Sequence, residues 1–522
     1  MVKGLIRVID DQGMRRVHEG ALQVLEKTGL VIRGDFLLEA LADAGCRVDF
    51  VKKRAWFRPD LVEKQVETQR GRYTMVRSSL WYPFCRSIPE GDAAWPDEFT
   101  VDYGFTTPWI YDYPQGVFRT PTAKDQVDMI RLGNSIEPAR AVCAPFICGG
   151  FDPLIEPMET ARMLLLHTDK PGWVTTSDAR QVKYLAELAA LALQVAGTTR
   201  GYPPIGGRGS PSGGGVRPAA PSREDVFRAA PPLFAHAYCT TSPLKLDTHP
   251  CQVLEEALKH RFPVNFAPMP ILGGTTPVTP AGSLVVATAE ILGCVTAVTL
   301  LAPDVYCYAT AISGEMDMRT TQVCYATPAA ILTDAALHQL FRFKYGMVLN
   351  VEPAYLEAKC PGIQAAFLKT FRQMAFSAMA SSPLPIGLLD NGSAFSPVQA
   401  MIDLDVSRAM YGLGRGFTID DETLCVDLIN RMQFCERESY IEASHTLEHF
   451  RETMWDTKFF DRSYRKNASY TTAEADEKIL KEADAEWRTL VAAEVPPDRD
   501  ARFIADIDRI VASAKKELID GR

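Results

Sequence analysis

From about residue 99 to residue 392 the chain repeats one pattern eight times. A short run of β-branched, aromatic or small apolar residues is followed by a longer stretch with helical spacing. The runs are FTVDYGF, AVCAPF, GWVTTS, FAHAYCT, PVNFAPMP, VYCYATA, MVLNVEP and IGLLDNG. Helical stretches such as AKDQVDMIRLGNSI, CQVLEEALKHR and IQAAFLKTFRQMAFSAMA lie between them. Strands that alternate with helices imply parallel βαβ units, because a parallel pairing needs a long crossover. Eight units match an α/β (β/α)8 TIM barrel. A doubly wound open sheet is the competing arrangement, but no Gly-rich strand-to-helix turn supports it.

The flanks read differently. Residues 1–98 form a helical N-terminal region, with HEGALQVLEKTG and FLLEALADAG each ending at Gly. The barrel is expected over 99–417. A Gly/Pro/Ser-rich insertion near 197–232 interrupts one βα unit, and loops that long are functional lids or disordered insertions. Residues 418–522 turn helical and charged and form a C-terminal helical region, packed on the barrel or on a neighbouring subunit.

The balance of 56 Lys+Arg against 65 Asp+Glu, with no basic run, makes a poor nucleic-acid binder. The stretch SLVVATAEILGCVTAVTLLA approaches membrane-spanning length, but Glu290 sits near its centre and no Lys/Arg flank anchors it, so a buried helix is expected. Twelve irregularly spaced cysteines without a C-x-x-C pair fit reduced thiols in a cytoplasmic protein. The N-terminus has no apolar leader. Neither membrane nor nucleic acid is an expected partner, and the chain is expected to be a homo-oligomer.

Barrel active sites lie at the carboxyl ends of the strands. The residues there include Tyr103, Phe146, Glu315, Asp317, Arg319, Glu352, Tyr355 and Lys359. Carboxylates, aromatics and hydroxyls dominate, and no histidine directly follows a strand end. His445 and His449 share a helix face, but Thr446 stands where a zinc-binding H-E-x-x-H needs its glutamate, so the pair is read as structural. No metal is expected, and no G-x-S-x-G marks a nucleophilic serine. Lys245 and Lys359 are the candidates for Schiff-base chemistry, as in barrel lyases. DTHPCQ begins like the corrinoid-binding loop D-x-H-x-x-G but carries Gln252 in place of the glycine. No cofactor is therefore expected on this chain.

The run PMPILGGTTPVTPAGSLVVATAEILG resembles the "lGatgPvTlaG…naE" segment of the trimethylamine methyltransferase family. FRTPTAKDQVDMIRL, HTDKPGWVTT and TTSPLK before it, and MDMRT, LDVSRAMYGLGRG and ASHTLEHFR after it, match in the same order. The resemblance covers most of the chain outside the Gly/Pro-rich insertion. The stretch LEAKCPGIQ departs from the family's "SDAKxPDxQ" at Leu356, Glu357 and Gly362.

The resemblance implies a barrel that moves a methyl group from a methylated amine to the Co(I) of a corrinoid (cobalamin) held on a separate corrinoid protein. Only the twenty standard residues occur here, so the chain resembles the members without pyrrolysine, which act on quaternary amines such as glycine betaine. A quaternary ammonium is already a leaving group and needs positioning rather than a general acid. Tyr103, Phe146, Tyr308 and Tyr355 are the candidate cage rings. Glu352 and Asp317 are the candidate catalytic counter-charges, and Arg319 the candidate anchor for a substrate carboxylate. Pro277, Gly282 and Glu290 carry the resemblance and are expected to shape the barrel. A Schiff-base lyase and a non-catalytic methylated-amine binder are the alternatives.

Overall fold

The computed structural model describes residues 6–72, 99–139, 141–196, 233, 235–352, 354–380, 384–432, 439–462 and 471–521. The insertion near 197–232 and part of the aromatic stretch before Tyr103 lie outside them. Four of the expected runs form one parallel sheet: β1 (Ala237–Thr240), β2 (Val264–Pro268), β3 (Cys307–Ala311) and β4 (Leu349–Val351), paired in that order. The other four are joined by shorter ladders. Val101–Asp102 pairs in parallel with Leu384–Pro385. Cys143 N donates to Tyr103 O at 2.9 Å, Ala144 N to Trp173 O at 2.9 Å, and Ala235 N to Val174 O at 3.2 Å. The chain is an α/β protein, as the alternation predicts.

The helices start where local chemistry sets them. Thr279, Thr327 and Ser396 each accept a backbone N–H through the side-chain oxygen, and a proline follows each at the first helical position. That pair satisfies one orphan donor and presets φ. The resulting helices are α1 (Asp11–Lys27), α2 (Pro280–Leu301), α3 (Pro328–Leu340), α4 (Ile363–Ala380) and α5 (Pro397–Arg415). The apolar α2 is a core helix, packed against α1, α3 and the helix Pro59–Gln69. Near the C-terminus, α6 (Thr472–Ala493) packs on α5, and α7 (Ala501–Lys515) packs on the helices Glu156–His167 and Val182–Ala196.

The N-terminal region is not purely helical. Leu30–Ile32, Arg47–Asp49 and Arg54–Trp56 form an antiparallel sheet, and Leu30–Ile32 also pairs in parallel with Lys245–Leu246. Three-residue strands are too short to show a period of two, so hydrophobic spacing could not reveal them.

His338, on α3, is fully buried, and its Nδ1 donates to the Leu349 carbonyl at 2.7 Å. Burial, chiefly, holds its pKa down at about 4, and the half-buried His236 is likewise lowered to about 4. Between pH 6.5 and 4 the unfolded chain takes up protons that the folded chain refuses, so stability is lost as the pH falls through that window. Urea midpoints should drop accordingly. His338→Gln keeps a donor but does not titrate, and should reduce the loss by up to about 3 kcal/mol. An unchanged pH profile would contradict this.

Candidate active site

Side chains alternate across the parallel sheet. One face carries Tyr238, Phe266 and Leu349, all fully or almost fully buried, with α2 packed on β2 and α3 on β4. On the other face the register sets Ala237 beside Asn265 and Asn265 beside Tyr308. One step further along, Cys239 lies beside Ala267 and Thr310 beside Asn350. Thr310 Oγ1 donates to Asn265 Oδ1 at 3.0 Å. Ala237 and Cys239 are accessible to water although they lie within β1, so this face borders open space. Two residues beyond Asn350, on the same alternation, comes Glu352, 8% exposed.

Tyr355 completes the cluster. Its ring meets Tyr325 edge-on at 5.5 Å and lies against Gly392 so closely that a Cβ there would fall 2.9 Å from it. Gly392 also has φ +76°, so two constraints require glycine at this turn. Burial, then the charge of Glu352 and the nearby Cys239 and Tyr325, push the Tyr355 hydroxyl pKa above its usual value. Two rings therefore meet beyond the end of β4, with the Glu352 carboxyl and the Cys239 thiol near enough to act on the Tyr355 hydroxyl.

Arg372 of α4 holds this cluster from behind. Its guanidinium is fully buried and donates to the backbone carbonyls of Tyr325 and Glu352, the latter at 2.7 Å. Glu357 accepts from the backbone N–H groups of Tyr325 and Ala326. Asp334 accepts from Ser313 N at 2.9 Å, and burial pushes its pKa up to about 6 against the pull of Arg372.

Glu290 has a structural task. It is fully buried on α2 and accepts from Thr240 Oγ1 at 2.6 Å, Ser242 Oγ at 3.0 Å and Leu244 N at 2.7 Å. It thus fixes the loop that leaves the carboxyl end of β1. Gly282 packs so tightly on Pro277 that a Cβ would approach it to 2.8 Å.

The structure brings only some of the expected residues together. Glu352 acts electrostatically on Tyr355, and Tyr308 lies on the same face as Glu352, lower down and stacked on Tyr306 at 5.7 Å. Tyr103 is placed in the core instead: its hydroxyl donates to Met129 O at 2.7 Å and its ring packs edge-on against Phe395 at 5.6 Å. Phe146, fully buried, packs against the same Phe395 at 5.8 Å. Asp317 shapes the turn between the strands Gly314–Met316 and Val323–Cys324, accepting from Arg319 N at 2.9 Å. Arg319 itself is turned to solvent, its side chain 91% exposed. Lys359 is ion-paired with Asp390, and Lys245 lies 3.7 Å from Asp247. An open hollow lined by Arg7, Asp10 and Asp11 sits at the start of α1 and holds no aromatic ring.

Sequence reasoning passed over Asn265, Asn350, Tyr325 and Arg372. The two asparagines did leave a signal, a lone amide inside the otherwise apolar runs VNFA and LNV. Arg372 left none, because its role depends on contacts 20 and 47 residues away.

A polar and aromatic cluster beyond the ends of parallel strands is where α/β proteins place small-ligand sites. Over residues 223–518 the chain matches the trimethylamine methyltransferase family. That is more than half of its length, and the chain belongs to this family. It is similar to a trimethylamine methyltransferase of Desulfitobacterium hafniense, 26% identical over 462 residues that span 88% of this chain and 84% of that one. It is also similar to a glycine betaine methyltransferase of Desulfitobacterium hafniense, 21% identical over 520 residues, 98% of each chain. The crystal structure of the Methanosarcina barkeri monomethylamine methyltransferase superposes with a TM-score of 0.45 at 10% identity, covering 93% of this chain and 88% of that one. So loose a superposition leaves the fold to be argued from this chain's own hydrogen bonds.

Proposed function

We propose that this chain transfers a methyl group from a quaternary methylated amine to a corrinoid carried by a separate protein, within a closed (β/α)8 barrel. The parallel pairings among the eight runs support the barrel. The observation that carries the reaction is the edge-on pair of Tyr355 and Tyr325, with the charge of Glu352 felt at Tyr355, beside a face open to water at Cys239.

A quaternary ammonium head is held by ring faces, at about 0.5–2 kcal/mol per ring, and by a carboxylate of opposite charge. The corrinoid would supply Co(I) as the nucleophile that accepts the methyl. The methyl–nitrogen bond breaks with its electron pair left on nitrogen, so the amine departs neutral and no proton is needed. What the protein contributes is position: Arg372 fixes the backbone on which Glu352 and Tyr325 ride, and Gly392 lets Tyr355 close in. The open face suits a cofactor presented by another molecule. Because Arg319 points to solvent, the reading rests on the ammonium head and not on a carboxylate tail. Both candidate Schiff-base lysines carry ion pairs, which leaves the lyase reading without support.

In methyl-transfer assays with a reduced corrinoid protein, followed by cobalt absorbance, glycine betaine or another quaternary amine should be turned over faster than trimethylamine. Trimethylamine offers a poor leaving group until its nitrogen is protonated, whereas a quaternary amine is already cationic and needs only positioning. Faster turnover of trimethylamine than of every quaternary amine would reject the proposal.

A further inference from the structure

Below the aromatic cluster lies a row of hydrogen-bonding side chains for which methyl transfer from an ammonium head has no use. The accessible face divides into two levels. In the upper one, the register that sets Thr310 beside Asn350 continues and brings Ile312 level with Glu352. Ile312 and Met269 pack in one apolar cluster with Tyr325 and Tyr355. Apart from Glu352 this level is apolar and aromatic, which suits N-methyl groups. The lower level is amide and hydroxyl: Asn350 lies beside Thr310, and Thr310 Oγ1 donates to Asn265 Oδ1 at 3.0 Å.

Asn265 is the member of that row with capacity to spare. An amide inside a strand is costly unless its groups are bonded. Thr310 satisfies the carbonyl, and the amide N–H2 is left as a donor without a partner among the described residues. The side chain is half-buried, beside Ala237, which water reaches. Two residues separate Asn350 from Glu352, so the two levels stand about 7 Å apart at a rise of roughly 3.3 Å per residue. Of the side chains that β1–β4 and the positions just beyond them set on this face, only Glu352 is charged. The guanidinium behind the face, Arg372, is committed to the Tyr325 and Glu352 carbonyls.

We infer that the lower level reads the tail of the substrate and that Asn265 determines specificity: the site takes a quaternary ammonium compound whose tail ends in an uncharged hydrogen-bond acceptor, a hydroxyl or a carbonyl. The inference rests on the ammonium-head reading proposed above and names the class of compound within it. With the head among the rings, a tail of about two or three atoms spans the distance to the Asn265 amide, which donates to it. A carboxylate tail is disfavoured. It would be desolvated opposite neutral donors, with no cation on the face and with the like charge of Glu352 above it. A plain hydrocarbon tail is disfavoured for the other reason, because it would cover the Asn265 donor and leave it unpaired.

Titration calorimetry of the full chain with choline, glycine betaine and tetramethylammonium tests this without any corrinoid protein. The three share the head and differ in the tail: a hydroxyl, a carboxylate and none. Choline should bind roughly tenfold or more tighter than tetramethylammonium, and tighter than glycine betaine, since a site built around a hydrogen bond rejects a ligand that lacks it. Asn265→Leu, close in volume, should bring choline down to the affinity of tetramethylammonium, with the thermal midpoint reporting the fold. The ranking in wild type decides the matter independently of the variant. Choline binding no tighter than tetramethylammonium, or glycine betaine binding tighter than choline, would overturn the inference while the ammonium-head reading stands. An undiminished preference for choline in folded Asn265→Leu would overturn the role of Asn265. Failure of all three compounds to bind would remove the head reading and this inference with it.

Discussion

Replacing Glu352 by Ala is expected to lower kcat/KM for a quaternary amine by roughly 100-fold, and Tyr355→Ala by a comparable factor. Glu352 follows β4 on the accessible face, and its charge is felt at the Tyr355 hydroxyl. Removing the partner of a desolvated charge costs about 3 kcal/mol, or two factors of ten in rate. Losing a ring costs the cation–π attraction and leaves a void beside Gly392 and Tyr325. Arg319→Ala is the control: its side chain is solvated, and turnover should stay within a factor of about two, as for surface changes generally. Thermal midpoints of the variants separate a lost site from a lost fold. Wild-type rates in both Glu352→Ala and Tyr355→Ala would remove this cluster from consideration as the active site.

Arg372→Met should be the most destabilising single change, by about 3–5 kcal/mol, because it strands buried carboxyl groups rather than removing a balanced pair. Asp334 and Glu352 both sense its charge, and two carbonyls lose their donor. The sign of the pH dependence follows. Burial already raises the Asp334 pKa to about 6; without the guanidinium it rises further, so the variant loses stability as the pH climbs through that value. Its urea midpoint should therefore trail wild type by more at pH 8 than at pH 5.5. Adding Asp334→Asn should recover part of the loss, since one stranded charge is gone. A variant as stable as wild type at pH 8 would show that Arg372 is not compensating charge there.

The candidate site was only partly legible beforehand. Glu352 and Tyr355 were found because they lie at and just after the end of a run, MVLNVEP, that reads plainly as a strand. Tyr103 and Phe146 lie at the ends of the runs FTVDYGF and AVCAPF, the first of them the least strand-like of the eight, and both turn towards Phe395 in the core. A strand exposes alternate residues on opposite faces, so an uncertainty of one residue in register exchanges core for cleft. Arg319 sits near a strand end in sequence, but a tight turn held by Asp317 aims it outward.

The sequence by itself determined the α/β class, the Thr-Pro and Ser-Pro helix starts and the core role of α2. Each is local: periodicity, capping and helix length need only neighbours in the chain. The tertiary structure alone decided which strand-end side chains share a face, that Glu290 braces the β1 loop across some fifty residues, and that Arg372 stands behind Tyr325 and Glu352. Those are long-range pairings, and a buried charge is placed by whichever partners the packed core brings within hydrogen-bonding distance, which no local pattern encodes.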